Sequence, residues 1–248
     1  SITVTSGMRQ NLFSLQQTQK TMELTQQRLS TGKKVNSALD DPINFFAAQG
    51  HTQRAGDLAM RKDEMGEAIQ TIKAANNGIE AITDMIASAK SLAQSALATS
   101  NTSERATLQG QFNVMKTQIN QLRGDAGYKG TNLLDNTHSI TVSFDESGDS
   151  TLTVAGQDGT GGLEGATFAA DWSSDANITA DIALLDTARD NLRTSSKTLS
   201  NQLSTITTRQ DFTTKMINTL EDGAANLVNA DLNEEGANML MLQTRQAL

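Results

Sequence analysis

The side chains best suited to chemistry are two histidines, His51 and His138, and a few clustered carboxylates. A metal centre needs three or four ligands at short, regular spacing. Neither histidine stands in such a set, so both read as ordinary polar residues and no metal is expected. The run GTGGLEG, Gly159 to Gly165, has the glycines of a phosphate loop but lacks the GK[ST] ending and the GxGxxG spacing. It reads as a flexible loop. Asp145, Ser147 and Asp149 mimic the first ligands of a calcium loop, yet Ser150 replaces the required glycine and Gly156 the required glutamate. That segment reads as a turn. Asp40 with Asp41, and Glu234 with Glu235, are adjacent on the chain, so each pair diverges on a helix and suits capping or solvation better than acid and base work. With Trp172 and Tyr128 the only such aromatics for a sugar-binding groove, and no cysteine, the sequence predicts neither catalysis nor a cofactor.

The elements that would position these groups carry a stronger signal. Leu58, Met65, Ile72, Ile79, Ile86 and Ala93 fall on a seven-residue spacing, and so do Leu185, Leu192, Leu199, Ile206, Leu220 and Leu227, with Thr213 the single polar interruption. Such a repeat keeps a narrow apolar seam facing a partner helix when the two helices wrap around each other. Met8, Leu15, Met22 and Leu29 form a third seam, with Leu12 and Leu24 beside it, on a helix from about residue 5 to 31. Gly32 follows as its left-handed end, with Val35 as the accompanying hydrophobic contact. Asp40 and Asp41 then cap a second helix that begins at Pro42 and runs to about residue 99. Ser103 and Glu104 open a third, whose face is Leu108, Phe112, Met115, Ile119 and Leu122 and whose end is Gly124.

Residues 139–144 and 151–156 alternate apolar and polar around DESGDS, the pattern of a β-hairpin. A loop-like stretch follows, and helix resumes near Ile178. It runs to about Glu221 and, after Asp222 and Gly223, continues through Leu227, Leu232, Met239, Leu240 and Leu242. The predicted fold class is therefore mainly α: an elongated antiparallel coiled-coil-like helical bundle with a small β-hairpin. One proline in 248 residues and 4% aromatics agree with that. The net charge of -8 argues against nucleic acid as a partner. No apolar run approaches the roughly 20 residues of a membrane span, and SITVTSGMRQNLF has no hydrophobic signal core, which predicts no membrane partner and either retention or a dedicated export route.

The segment RLSTGKKVNSALDDP, Arg28 to Pro42, resembles the N-terminal signature of bacterial flagellins, with Arg28, Leu29, Ser30, Gly32, Asn36, Ser37, Ala38, Asp40 and Asp41 as the matching positions. IASAKSLAQSA and then QFNVMKTQINQLRGDAGYKGTNLL, residues 111–134, are similar to the family's N-terminal core helices and the turn after them. NLVNADLNEEGANMLMLQTRQAL, residues 226–248, is similar to its C-terminal helix. The match covers most of residues 1–135 and 178–248.

The resemblance implies a structural subunit of a motility filament, exported unfolded through a type III channel and assembled with other flagellin subunits outside the cell. Its partners would include an export chaperone, the cap and the hook-junction proteins. It divides the chain into residues 1–35 and 223–248 for an inner core, the latter shorter than the family norm, and 36–177 and 178–222 for an outer core. It makes Met8, Leu12, Leu15, Met22, Leu29, Leu227, Leu232, Met239 and Leu242 the assembly interface. Residues 136–177 leave room for only a hairpin and a loop where many flagellins carry large outer domains. The family's innate-immune receptor site lies around Ala89 to Ala96, where Lys90, Ser91 and Gln94 depart from the usual residues, so weak recognition is expected. A hook–filament junction protein shares the terminal helices and is the alternative; an intracellular coiled-coil scaffold is a more distant one. A terminal seam with no partner gains order only when other subunits cover it, since burial of a large apolar side chain contributes about 1.5 to 3 kcal/mol. Amide exchange over residues 1–35 should therefore be faster in the monomer than in the filament, and equal protection in both would refute the expectation.

Overall fold

A computed structural model describes residues 6–247 and contains five helices and one two-stranded sheet: α1 (Ser6–Thr31), α2 (Pro42–Leu97), α3 (Thr102–Asp125), β1 (Ser139–Ser143), β2 (Thr151–Ala155), α4 (Asp175–Val228) and α5 (Leu232–Ala247). The chain divides into two compact units. One is formed by Ser1–Asp57 with Lys215–Leu248 and the other by Leu58–Thr214, so α2 and α4 each contribute to both. No helix among the described residues is long and apolar enough to cross a membrane.

In the Leu58–Thr214 unit, the two heptad seams are the core. Leu58, Met65, Ile72, Ile79, Ile86 and Ala93 of α2 are buried, and so are Leu185, Leu192, Leu199 and Ile206 of α4, with Thr213 buried among them. The pairing is antiparallel. Gln210 Nε2 donates to the Lys62 carbonyl at 3.2 Å, Ser196 Oγ to Asn76 Oδ1 at 3.4 Å, and Lys90 Nζ to Asp186 at 2.6 Å, so residues advance along α2 as they retreat along α4. α3 adds the face read from its sequence: Phe112 and Ile119 are buried, and Leu108, Met115 and Leu122 lie against the core. Its N-cap is Asn101, whose side chain accepts from the Ser103 and Glu104 amides and so begins the helix one residue before the predicted Ser103.

β1 and β2 pair antiparallel with Ser139 opposite Ala155 and Ser143 opposite Thr151. Val142 and Val154 face the core, and the Thr141 and Thr153 hydroxyls meet on the outer face at 3.2 Å. Asp145 holds the intervening turn, accepting from Ser147 Oγ and the Ser150 amide, which is the turn reading rather than a cation loop.

One expectation is corrected. GTGGLEG is not a flexible loop at its start: Gly159, Thr160 and Gly161 are buried. Gly161 has φ +65, and a Cβ there would lie 2.3 Å from the Ala188 carbonyl oxygen, so its glycine serves close backbone approach to α4. From sequence alone the two uses of glycine look alike. Trp172 belongs to the core. It is buried 4.9 Å from Phe112, ring to ring, and its Nε1 donates to the buried carboxylate of Asp181 at 2.8 Å. The second oxygen of Asp181 accepts from the Ala169 amide, so Asp181 anchors the loop to α4.

The seam burial sets an expected energy scale. Leu192→Ala should destabilise by about 2–5 kcal/mol, whereas Val114→Ala, on an exposed face, should stay within about 0.5 kcal/mol. Denaturant midpoints of the two variants check this.

Candidate functional site

The signature segment folds into a clasp within the unit formed by the chain ends. α1 stops at Gly32, which takes φ +69 while its amide donates to the Arg28 carbonyl at 2.8 Å, as a left-handed helix end requires. The chain then runs beside the end of α4. Lys34 and Val35 amides donate to the Val228 carbonyl at 2.8 and 3.2 Å, the Ala230 amide donates to the Gly32 carbonyl at 2.9 Å, and Lys33 pairs with Asn229 in an antiparallel bridge. Lys34 Nζ reaches the Asn226 carbonyl at 3.1 Å, and Val35 is buried beneath.

The break that allows this lies at residues 229–231. Asp222 and Gly223, read as the interruption of the last helix, are inside α4. A helical glycine costs only about 1 kcal/mol relative to alanine, and burial of the neighbouring Ala224 and Leu220 offsets it. The true start of α5 is marked by Asp231, whose carboxylate accepts from the Asn233 and Glu234 amides at 2.9 and 3.3 Å. Glu234 and Glu235 follow in the first turn, where the helix dipole favours negative charge.

The other signature residues brace the entry to α2. Asp40 Oδ2 accepts from the Asn36 and Ser37 amides, both at 2.9 Å, and from Ser37 Oγ at 3.3 Å. Asp41 caps α2, accepting from the Asn44 amide at 3.0 Å and from Asn44 Nδ2 at 2.6 Å. Backbone hydrogen bonds to Ser37 and Asn36 hold the Asp40 carboxyl below its ordinary value, and those from Asn44 do the same for Asp41. Ser30 is exposed and Ala38 half-buried.

Beyond the clasp, α1 and α5 lie side by side. Arg28 Nη1 donates to Glu235 Oε1 at 2.9 Å, and further out Gln246 Nε2 donates to Gln19 Oε1 at 3.1 Å. Of the residues expected to form the interface, Leu242 is buried, as is the unanticipated Thr25, and Met22, Leu29 and Met239, with Leu227 at the end of α4, are half-buried. Met8 (59% exposed), Leu12 (59%), Leu15 (51%) and Leu232 (52%) are more than half exposed. The predicted set is thus two sets. Phe13, Leu240 and Met241 are also exposed apolar residues of these helices. Phe13 falls off the seven-residue spacing, so periodicity did not single it out; Met241 lies two repeats beyond Leu227 and was not picked because Glu234 interrupts the series. Glu235 was missed as a buried partner because the one element that pairs it lies some two hundred residues away. Among the described residues, no three His, Cys, Asp or Glu side chains converge on a metal position.

A helical protein whose paired ends are locked by a backbone clasp while large apolar side chains remain uncovered is a structural, self-associating one. Residues 4–139 match the family model described as the bacterial flagellin N-terminal helical region. The chain is 30% identical over its whole length to Flagellin FljM of Caulobacter vibrioides, covering 91% of that protein, and 26% identical to a Flagellin of Brucella melitensis, covering 92% of it. The crystal structure of Bacillus cereus flagellin shares the fold, with a TM-score of 0.51 at 18% identity over 60% of this chain and 88% of that one. The chain belongs to the bacterial flagellin family, the structural subunits of the flagellar filament.

The clasp has a pH signature. Because the Asp40 and Asp41 carboxyls titrate lower in the folded chain than the ordinary 3.8, their contribution is complete above that value and is lost as pH falls through the folded values. Thermal unfolding below pH 4 should therefore be less acid-sensitive in Asp40→Asn and Asp41→Asn than in the parent, while both variants are less stable than the parent at neutral pH.

Proposed function

We propose that the chain acts by burying the outer apolar surface of α1 and α5 against other copies of itself, forming the filament core. The observation that carries this is the exposure of Met8, Leu12 and Leu15 on one helix and Leu232, Leu240 and Met241 on the other. An isolated soluble protein gains nothing from such a concentration of uncovered large side chains; a subunit that is to be covered does. Contacts in the filament are head-to-tail and do not close, so growth is open-ended. Met22, Leu29, Leu227, Met239 and Leu242 hold the two terminal helices together within the subunit, and Met8, Leu12, Leu15 and Leu232 reach its neighbours. On this reading residues 1–35 and 223–248 belong to the inner part of the filament, and 36–177 with 178–222 to the outer part. The role is structural, without catalysis.

Export in an unfolded state suits a chain with no cysteine to cross-link in transit. A chaperone that shields the terminal helices before assembly, a cap that retains subunits at the growing tip and the hook-junction proteins complete the partners, and the site of action is the extracellular flagellum. Lys90, held by Asp186 at 2.6 Å, and Ser91 stand where an innate-immune receptor would dock, which supports weak recognition.

Electron microscopy of purified protein tests the assembly. The parent should form filaments; Leu12→Asp with Leu15→Asp should remain soluble and helical yet give none. Filaments of normal length from that double variant would remove the proposed surface.

A further inference from the structure

Several cations of the Leu58–Thr214 unit are committed to carboxylates. Lys90 Nζ lies 2.6 Å from Asp186, Lys129 Nζ 2.8 Å from Glu67 and Arg105 Nη2 2.5 Å from Asp175. Lys116, half-buried on α3, is held otherwise. Its Nζ stands 4.1 Å from the centre of the Phe168 ring and 5.2 Å from that of Phe112, and among the described residues no carboxylate pairs with it. The same lysine lines a cleft of about 340 Å³, together with Asn113, Thr117 and Asn120 of α3 and Glu164, Ala166 and Phe168 of the following loop. We propose that Lys116 is a modification site, an amine that takes the acyl group of a small acyl phosphate bound in this cleft.

Three observations carry it. The nearby carboxylates are already occupied: Asp181 accepts from the Ala169 amide with one oxygen and from Trp172 Nε1 with the other, and Glu164 is bound by Arg123. An aromatic face attracts an ammonium more weakly than a hydrogen-bonded carboxylate does, so the rings place the nitrogen without engaging its protons as an acceptor would. Burial pushes the Lys116 amine below its ordinary 10.5, opposed by the charge of Asp181, whereas the hydrogen bond from Lys129 to Glu67 holds that amine above it. A larger share of Lys116 is therefore the neutral nucleophile near neutral pH. The cleft also brings donors for a phosphate, in the side-chain amides of Asn113 and Asn120. In the reaction the neutral amine attacks the acyl carbon and a C–N bond forms. The C–O bond to phosphate breaks, phosphate leaves with the bonding pair, and the proton lost by nitrogen goes to solvent. The product is a neutral amide, which removes one positive charge from α3.

Acetyl phosphate is the probe, applied to the full-length soluble chain, with the initial rate at each lysine read by peptide mass spectrometry. At neutral pH Lys116 should react about threefold faster than the exposed Lys73 and Lys197, and Lys129 should lag behind all three. The rate at Lys116 should also level off at a lower pH than at Lys73 and Lys197. In concentrated guanidinium chloride the four lysines should become equivalent, because the preference comes from the folded cleft and not from neighbouring residues in the chain. Phe168→Ala, with helix content checked by circular dichroism, should bring Lys116 down to the rate of Lys73. A rate at Lys116 no greater than at Lys73 and Lys197 in the folded chain overturns the proposal, as does a preference that survives unfolding or persists in a helical Phe168→Ala chain.

Discussion

A narrow apolar seam on a helix must be covered, and that requirement organises the rest of this protein. α2 and α4, helices of 56 and 54 residues, carry such seams. Isolated helices owe little of their stability to propensity alone, and here the covered seam supplies it. In the Leu58–Thr214 unit the cover is internal: α2 and α4 close on each other, and α3, the hairpin and the loop from Gly156 to Ser174 seal what remains. Thr213 and Asp181 are tolerated inside because the packing around them is otherwise continuous or their hydrogen bonds are supplied.

The unit built from the chain ends solves the same requirement differently. Its helices are shorter, its seam is interrupted by Thr25 and Glu235, and much of its large apolar surface stays in solvent. Beside its partly buried apolar contacts, the unit has polar and directional ones: the backbone bridge from Lys33 to Asn229, the capping carboxylates of Asp40, Asp41 and Asp231, and the Arg28–Glu235 pair. Directional bonds specify alignment where apolar burial does not. Thus one unit covers its large apolar side chains by folding, and the other leaves several of them exposed.

Much of this was legible in the residues. The positions Leu58 to Ala93 and Leu185 to Ile206 were assigned to the core by spacing alone, since each seam residue is buried by one helix that repeats the same period. The hairpin was legible because Val142 and Val154 alternate with Thr141 and Thr153. Gly32, Pro42 and the two aspartates marked their boundaries through local backbone chemistry. Asp222-Gly223 misled because turn-forming residues are persuasive locally, whereas the packing of Ala224 and Leu220 decides whether a helix continues. The glycines from Gly159 misled for the same reason: a flexible loop and a packed one share a composition.

By itself, then, the sequence determined where helices run, where most of them stop and which faces are apolar, because periodicity and capping are local properties. Only the tertiary structure decided which apolar residues are covered within the subunit and which are left over, and that Arg28 meets Glu235. Those are consequences of bringing together segments some two hundred residues apart, and no local pattern records which side chain will stand opposite another across that distance.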